Sequence, residues 1–388
     1  MNQYTPVLTL TADELSKVTL PLEQAYTLPP SAYTSQAIYD LEMQNIMVKT
    51  WHPVARVDQV AKLGDYLSLD FLGQPLLIVH GQDDEIRVMS RVCLHRAAPL
   101  ISGDGNRKLF TCPYHAWSYD TTGQLIRAPL MEEVQGFEEK KCALPQLKME
   151  LWQGFILINF DDNAAPFAPS VAGFTEYFQN FKLEQMAVVK VLEYPSTWNW
   201  KVLVDNFMEA YHHIAIHNQT LESAYHAKDS KVPDNTGPWS ILHMPAAISS
   251  NVGEPAANPD LEQWQRDDLF ANAIFPMFLV AMHDTSLIWY QVLPEGPEQF
   301  TLRIHICLPR HFREIENFDE IVEGATQGVV AVHEEDIHAN DLVWSGLTAP
   351  LTQQGRLSGL ERSIWQFNQW WVDKLLTETE NSIAIRKA

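Results

Sequence analysis

Cysteine is scarce in this chain. Four residues in 388, Cys93, Cys112, Cys142 and Cys307, are too few and too scattered for the disulfide framework of a small secreted domain. Positive charge is also short: 27 Lys and Arg stand against 49 Asp and Glu, a formal net charge of −22. A phosphate backbone is repelled by such a surface, which argues against nucleic acid as a partner. No run of about 18 apolar residues occurs that could span a bilayer. The start, MNQYTPVLTLTADELSKV, lacks the basic and apolar regions of a signal peptide, so the expectation is a cytoplasmic protein with no membrane partner. No G-x-G-x-x-G follows a strand-like segment, so no nicotinamide site is expected, and internal repeats are absent. What remains is a chain 46% hydrophobic and 20% charged, enough for one large core or two packed domains.

Metal-binding residue types are concentrated in RVCLHRAAPLISGDGNRKLFTCPYHAWSYD, which holds Cys93-x-His95, then sixteen residues, then Cys112-x-x-His115. Two thiolates and two imidazoles can make a tetrahedral zinc site or an iron–sulfur site. Zinc fingers of the Cys2His2 kind keep like ligands together. Each short segment here supplies one of each, as needed when the cysteines bind one iron and the histidines the other. The neighbouring DYLSLDF, QPLLIVH and EIRVMS alternate or run β-branched with Gly-rich turns between them. Both pairs therefore fall on loops at strand ends.

CLHR followed by CPYHAWSYDTTGQL resembles the Rieske [2Fe-2S] motif, and the likeness runs from TWHPVARV to the ELWQGFILINF strands. The whole chain is similar to the α, or terminal oxygenase, subunit of Rieske non-haem iron oxygenases, the ring-hydroxylating dioxygenase family. Leu94 stands where proline is common, and Ala97 and Ala116 where glycine is common. The resemblance implies that Cys93, His95, Cys112 and His115 hold a [2Fe-2S] cluster, and that a mononuclear Fe(II) sits elsewhere on two histidines and a carboxylate.

A second histidine cluster, EAYHHIAIH at 209–217, sets geometry against resemblance. On an ideal helix His213 and His217 share a face, while His212 and His217 lie about 140° apart. The resemblance instead implies His212 and His217 as iron ligands, with Glu209 bridging and Asn206 beside it as candidate catalytic residues. The helix must then end or bulge after His212, leaving His213 packed or hydrogen-bonded. For the third ligand, AVHEEDIHANDLVWSGL resembles the late helix of the family and implies Asp336, with Glu335, Glu334 and Asp341 as fallbacks. Family members commonly carry Asp at the bridging position. Glu209 resembles the branch acting on carnitine, betaine and related quaternary amines, although the cysteine-flanked ECYHC of that branch is missing.

The fold class expected is α+β: a β-rich Rieske domain over 41–160, and a helix-grip catalytic domain with a central antiparallel sheet over 1–40 and 161–388. Helices are expected at 199–213, 318–345 and 357–377. Leu360, Ile364, Phe367 and Trp371 form an apolar stripe for core or subunit interface. The Pro-, Gly- and Asn-rich stretch 228–268 reads equally as a pocket lid or a long surface loop.

The family resemblance also implies a separate NAD(P)H-dependent reductase, with or without a ferredoxin. Electrons would cross through His115, Glu209 and His212 to the iron of a neighbouring subunit, where O2 binds, in a homotrimer. The acidity fits either solubility or docking of a basic redox partner. Two substrate classes stay open. One is hydroxylation or desaturation of an unactivated C–H bond in a mostly apolar small organic molecule, such as a natural-product intermediate, lying against Phe275, Met277, Phe278, Trp289 and Tyr290. The other is a quaternary amine caged by those rings. An electron-transfer Rieske protein or a structural zinc protein has no use for Glu209, His212, His217 and Asp336.

Overall fold

Short β-branched runs separated by glycine turns fold, in residues 49–166, into three small antiparallel sheets. The strands are β1 (His52–Arg56), β2 (Asp65–Phe71), β3 (Gln74–His80), β4 (Ile86–Ser90), β5 (Asp104–Asn106), β6 (Leu109–Thr111), β7 (Ser118–Asp120), β8 (Leu125–Arg127), β9 (Lys148–Trp152) and β10 (Phe155–Asn159). They pair in the orders β1-β10-β9, β4-β3-β2-β5 and β6-β7-β8. Two hairpins close through two-residue turns with both residues at positive φ, Leu72-Gly73 at 49° and 73° and Gln153-Gly154 at 50° and 80°. That is the turn whose twist matches paired strands, and it needs glycine at the second position. The computed structural model describes residues 10–248 and 258–387, the side chains of 377–387 aside.

The described residues up to Val48, together with those from Phe167, form the second unit. Its centre is a six-stranded antiparallel sheet of β11 (Met186–Ser196), β12 (Trp239–Met244), β13 (Leu269–Ile274), β14 (Phe278–His283), β15 (Ser286–Gly296) and β16 (Gln299–Pro309). The order is β11-β16-β15-β14-β13-β12. The main helices are α1 (Gln36–Asn45), α2 (Trp200–Phe207), α3 (Phe318–Leu347) and α4 (Arg362–Lys387). Among the described residues no helix is long and apolar enough to cross a membrane.

Three local expectations change. The helix expected over 199–213 starts with the Asn199 side chain accepting from the Lys201 backbone N–H at 3.0 Å, but it stops at Phe207. A separate 3-10 turn, Tyr211–Ile214, then carries the histidines. The stretch 228–268 contains β12 and a short helix, Gln263–Asp267, rather than loop alone; residues 249–257 lie outside the described ones. The unit boundaries fall at 49 and 166 instead of 41 and 160. Residues 161–166 stay with the first unit because Trp51 Nε1 donates to the Ala165 carbonyl at 2.9 Å and Lys148 Nζ to that of Ala164 at 2.5 Å.

The region around 41–48 belongs to the second unit for an electrostatic reason. Glu42 on α1 and Lys201 on α2 are both fully buried, Nζ to Oε1 2.7 Å, and Trp371 Nε1 of α4 donates to the same carboxylate at 2.7 Å. The ammonium also lies 4.8 Å from the Trp200 ring. Burial pushes the carboxyl pKa up and the amine pKa down, so each charge persists through its partner. Lys201→Met should lower stability by about 3–5 kcal/mol, the usual cost of stranding a buried charge. The Lys201→Met/Glu42→Leu pair should recover most of it in thermal unfolding followed by circular dichroism. A single variant as stable as the wild type would contradict this.

Candidate metal centres

Two loops in the first unit are built alike. In one, Ala97 N–H donates to the Cys93 carbonyl at 3.0 Å and Cys93 N–H to that of Ala98 at 2.9 Å. In the other, Ala116 N–H donates to Cys112 at 3.1 Å and Cys112 N–H to Trp117 at 2.7 Å. Both turns put alanine at positive φ, 56° and 59°, which explains why glycine would suit these positions. The loops set the four candidate ligands in layers. Cys93 and Cys112 are buried, 2% and 3% exposed, whereas His95 and His115 are exposed with ring centroids 4.6 Å apart. Trp117 stacks on His95 at 4.9 Å. The Tyr119 hydroxyl lies 3.4 Å from Cys93 Sγ and accepts from Leu94 N–H at 3.0 Å. Buried sulfur ligands beneath exposed nitrogen ligands fit a two-iron cluster with one iron per ligand type.

In the second unit, the turn after α2 and the middle of α3 meet. His217 Nε2 lies 3.0 Å and His212 Nε2 3.5 Å from Asp336 Oδ1. The opposite ring nitrogens are fixed by other carboxylates: His212 Nδ1 donates to Glu209 at 2.6 Å, and His217 Nδ1 to Glu335 at 2.6 Å. This pattern assigns the tautomers and aims both Nε2 atoms at one point. Glu335, a fallback ligand in the sequence, thus supports His217 and also accepts from the Thr220 hydroxyl at 2.8 Å. Asn206 Nδ2 donates to Asp336 Oδ1 at 3.1 Å. Glu334 is exposed, and Asp341 accepts from Trp198 Nε1 at 3.1 Å, so neither joins the site.

Burial alone would lower the pKa of His212, but its hydrogen bonds to Asp336 and Glu209 outweigh that and lift it to about 9. Burial would raise Asp336, and the two histidines hold it well below the carboxylate range instead. His213 is buried, and burial plus the neighbouring imidazoles lower it to about 3. A ring nitrogen from each of His212, His213 and His217 comes within 4.8 Å of the others. Two imidazoles and one carboxylate, the set with a carboxylate behind each ring, suit a non-haem Fe(II) with open positions.

A cavity of about 180 Å³ opens on this point. Its floor is one cross-strand row, Leu242, Ala271, Ala281 and Ile288, each paired with the next. Gly328, Val329 and Val332 of α3 line it as well, as do Phe207, Leu221, Met244, Leu269 and Tyr290. Of the five residues expected against the substrate, Phe275, Met277, Phe278, Trp289 and Tyr290, only Tyr290 lines it. Strand alternation turns Trp289 to the other face, where it stacks on His305 at 4.2 Å, and Phe278 shares that face. Phe275 packs on Phe367 and Trp370 of α4 at 5.4 and 5.5 Å. The floor residues were missed because small alanines carry no chemical signal, although Ile288 could have been placed by its parity with Tyr290. A second cavity, of about 280 Å³, shares Asn206, Glu209 and His212 with the first and adds Tyr33, Asp205 and Glu361.

Comparison with known proteins gives a consistent picture. Residues 183–377 match the family described as ring hydroxylating alpha subunit (catalytic domain), and residues 50–138 match the Rieske [2Fe-2S] domain. A carnitine monooxygenase oxygenase subunit of Acinetobacter baumannii is 36% identical over 193 residues, 48% of this chain and 52% of that protein. The match thus spans about half the length of such relatives. The chloroplastic choline monooxygenase of Beta vulgaris is 26% identical over 365 residues, 90% of this chain and 77% of that protein. A quaternary ammonium Rieske monooxygenase solved with L-carnitine superposes with a TM-score of 0.77 at 23% identity, covering 95% of this chain and 99% of that one. Naphthalene 1,2-dioxygenase from Rhodococcus gives 0.78 at 16% identity, covering 94% and 97%; these two likenesses speak to fold.

Because the metal-free site holds a proton on His212 up to about pH 9, iron must displace it. Anaerobic titration of the metal-free second site with Fe(II) should show affinity rising with pH until about 9. Glu335→Gln should weaken binding about 10–100-fold, His217→Ala should abolish it, and His213→Ala should leave it near wild type. Loss of binding in His213→Ala with retention in His212→Ala would give the ideal-helix pairing instead.

Proposed function

The chain belongs to the ring-hydroxylating alpha-subunit family and carries a Rieske [2Fe-2S] domain, and from that premise we propose that it is the terminal oxygenase of a multicomponent system, oxidising a C–H bond of a small, neutral, mostly apolar molecule. The observation that carries the substrate class is the cavity wall: away from Asn206, Glu209, the three histidines and Asp336 it is aliphatic side chains and two aromatic rings, with no lysine or arginine among the described lining residues. A carboxylate-bearing substrate would find no cation to pair with there. In this reading His212, His217 and Asp336 hold iron, Cys93, His95, Cys112 and His115 hold the cluster, and the pair supplies one-electron transfer and O2 activation. The residues of the chain do the rest. Glu209 and Glu335 hold the imidazole N–H groups and keep both rings aimed. Asn206 fixes the Asp336 oxygen, and the aliphatic wall excludes water, which strengthens every charge interaction inside.

Glu209 lines both cavities, a position suited to receive electrons from outside the substrate chamber. We assign it the bridge to a neighbouring subunit's cluster in a closed homotrimer, supplied by a separate NAD(P)H-dependent reductase. A second reading, oxidation of a quaternary amine, is favoured by the named activities of the carnitine and choline relatives. The Phe207 and Tyr290 rings, 4.9 Å apart, would then contact the ammonium methyl groups.

The test is substrate depletion under 18O2 with a surrogate reductase, across neutral apolar compounds and quaternary amines, for wild type and Ala281→Phe. Neutral compounds should gain 18O. Ala281→Phe, which fills the floor, should lower kcat/KM at least about tenfold, the scale of a misfit in a hydrophobic pocket, while keeping iron and cluster content. Turnover confined to choline- or carnitine-like compounds would replace the first reading with the second.

A further inference from the structure

Three aromatic rings lead away from the iron chamber. Tyr290, on β15, lines the cavity and is 7% exposed. Behind it, on α3, the His333 ring is 6.0 Å away, centroid to centroid. The Tyr194 ring, on β11, lies 4.5 Å beyond that and is partly exposed to solvent. His333 is 1% exposed, and neither of its ring nitrogens has a hydrogen-bond partner among the described residues. A buried imidazole whose nitrogens meet no described hydrogen-bond partner is unusual, since buried polar groups are normally satisfied. Its position between two phenol rings, one at the chamber and one at the surface, gives it a use that hydrogen bonding does not.

We propose that Tyr290, His333 and Tyr194 form an escape route for oxidising equivalents, drawing on the oxygen-activating reading given above. Iron held by His212, His217 and Asp336 would, if O2 were reduced there with no substrate to take the oxygen, leave a one-electron oxidising equivalent among oxidisable side chains such as Met244. Electron transfer falls off steeply with distance, so adjoining rings carry it better than the aliphatic walls. One electron passes from Tyr194, through the His333 and Tyr290 rings, to the oxidised centre. The Tyr194 phenol releases its proton to solvent and becomes a neutral phenoxyl radical. A small reductant such as ascorbate then returns one electron, solvent returns the proton, and the protein is restored. Phe207, also against Tyr290 at 4.9 Å, is too hard to oxidise to serve, and Trp289 stands on the other face of its strand.

The test uses the holoenzyme, without substrate, treated with hydrogen peroxide and freeze-quenched for electron paramagnetic resonance. Wild type should show a tyrosyl radical whose spectrum narrows when the protein carries ring-deuterated tyrosine. The signal should be lost in Tyr194→Phe, which lies outside the chamber and should keep its substrate turnover. It should be weakened in His333→Leu, whose folding is checked by cluster absorption. Tyr194→Phe should also inactivate after several-fold fewer peroxide equivalents, with oxidation of Tyr290 or Met244 found by mass spectrometry. Peroxide consumption with no tyrosyl signal, or an unchanged signal and lifetime in Tyr194→Phe, overturns the route alone. Peroxide consumption no faster than in His217→Ala overturns the oxygen-activating reading along with it.

Discussion

Two imidazole nitrogens aimed at one carboxylate oxygen are the constraint on which the second unit turns. His212 and His217 come from the turn after α2, and Asp336 from the middle of α3. Without metal the arrangement is held by protons and hydrogen bonds, with Glu209 and Glu335 behind the rings. Each carboxylate raises the basicity of the imidazole it holds and removes its rotational freedom. Buried charge of this density is unfavourable unless fully paired. The early end of α2 is what makes the pairing possible, because a continuous helix would send His212 and His217 to different faces.

The chamber follows from the same anchoring. Once Asp336 is fixed, Gly328, Val329 and Val332 lie one and two turns earlier on α3 and face the sheet. Opposite them the row Leu242, Ala271, Ala281 and Ile288 is smallest at its centre. A hollow beside the metal point therefore needs no special loop: it is the gap left where glycine and valine on a helix meet alanine on a sheet. Chamber chemistry is apolar because these positions would otherwise be core.

Legibility in the sequence tracked chemical distinctiveness. The Cys/His loops stood out in the sequence because two ligand types at fixed short spacing have few uses; Asp336 stood out of its acidic run by the family pattern alone, and it is the acidic residue that lies against the Nε2 atoms of His212 and His217. The helix-to-turn break after Phe207 was visible only as a conflict between ideal geometry and resemblance; no proline or glycine marks it. The aromatic pocket expected from Phe275, Phe278 and Trp289 failed on strand parity and on packing against α4, neither of which a list of aromatics contains. The edge strand β12 was hidden because Pro, Gly and Asn flank it on both sides, although WSILHM itself is strand-like.

Everything functional here depends on two different iron centres residing in one chain. The most direct measurement is iron and acid-labile sulfide per chain of the purified protein, together with the electron paramagnetic resonance spectrum of the dithionite-reduced form. The account predicts two sulfide-linked irons with a Rieske-type spectrum and a third iron that a chelator removes without loss of that spectrum. Zinc in place of iron with no acid-labile sulfide, or cluster iron with no chelatable third iron at any loading, would contradict it.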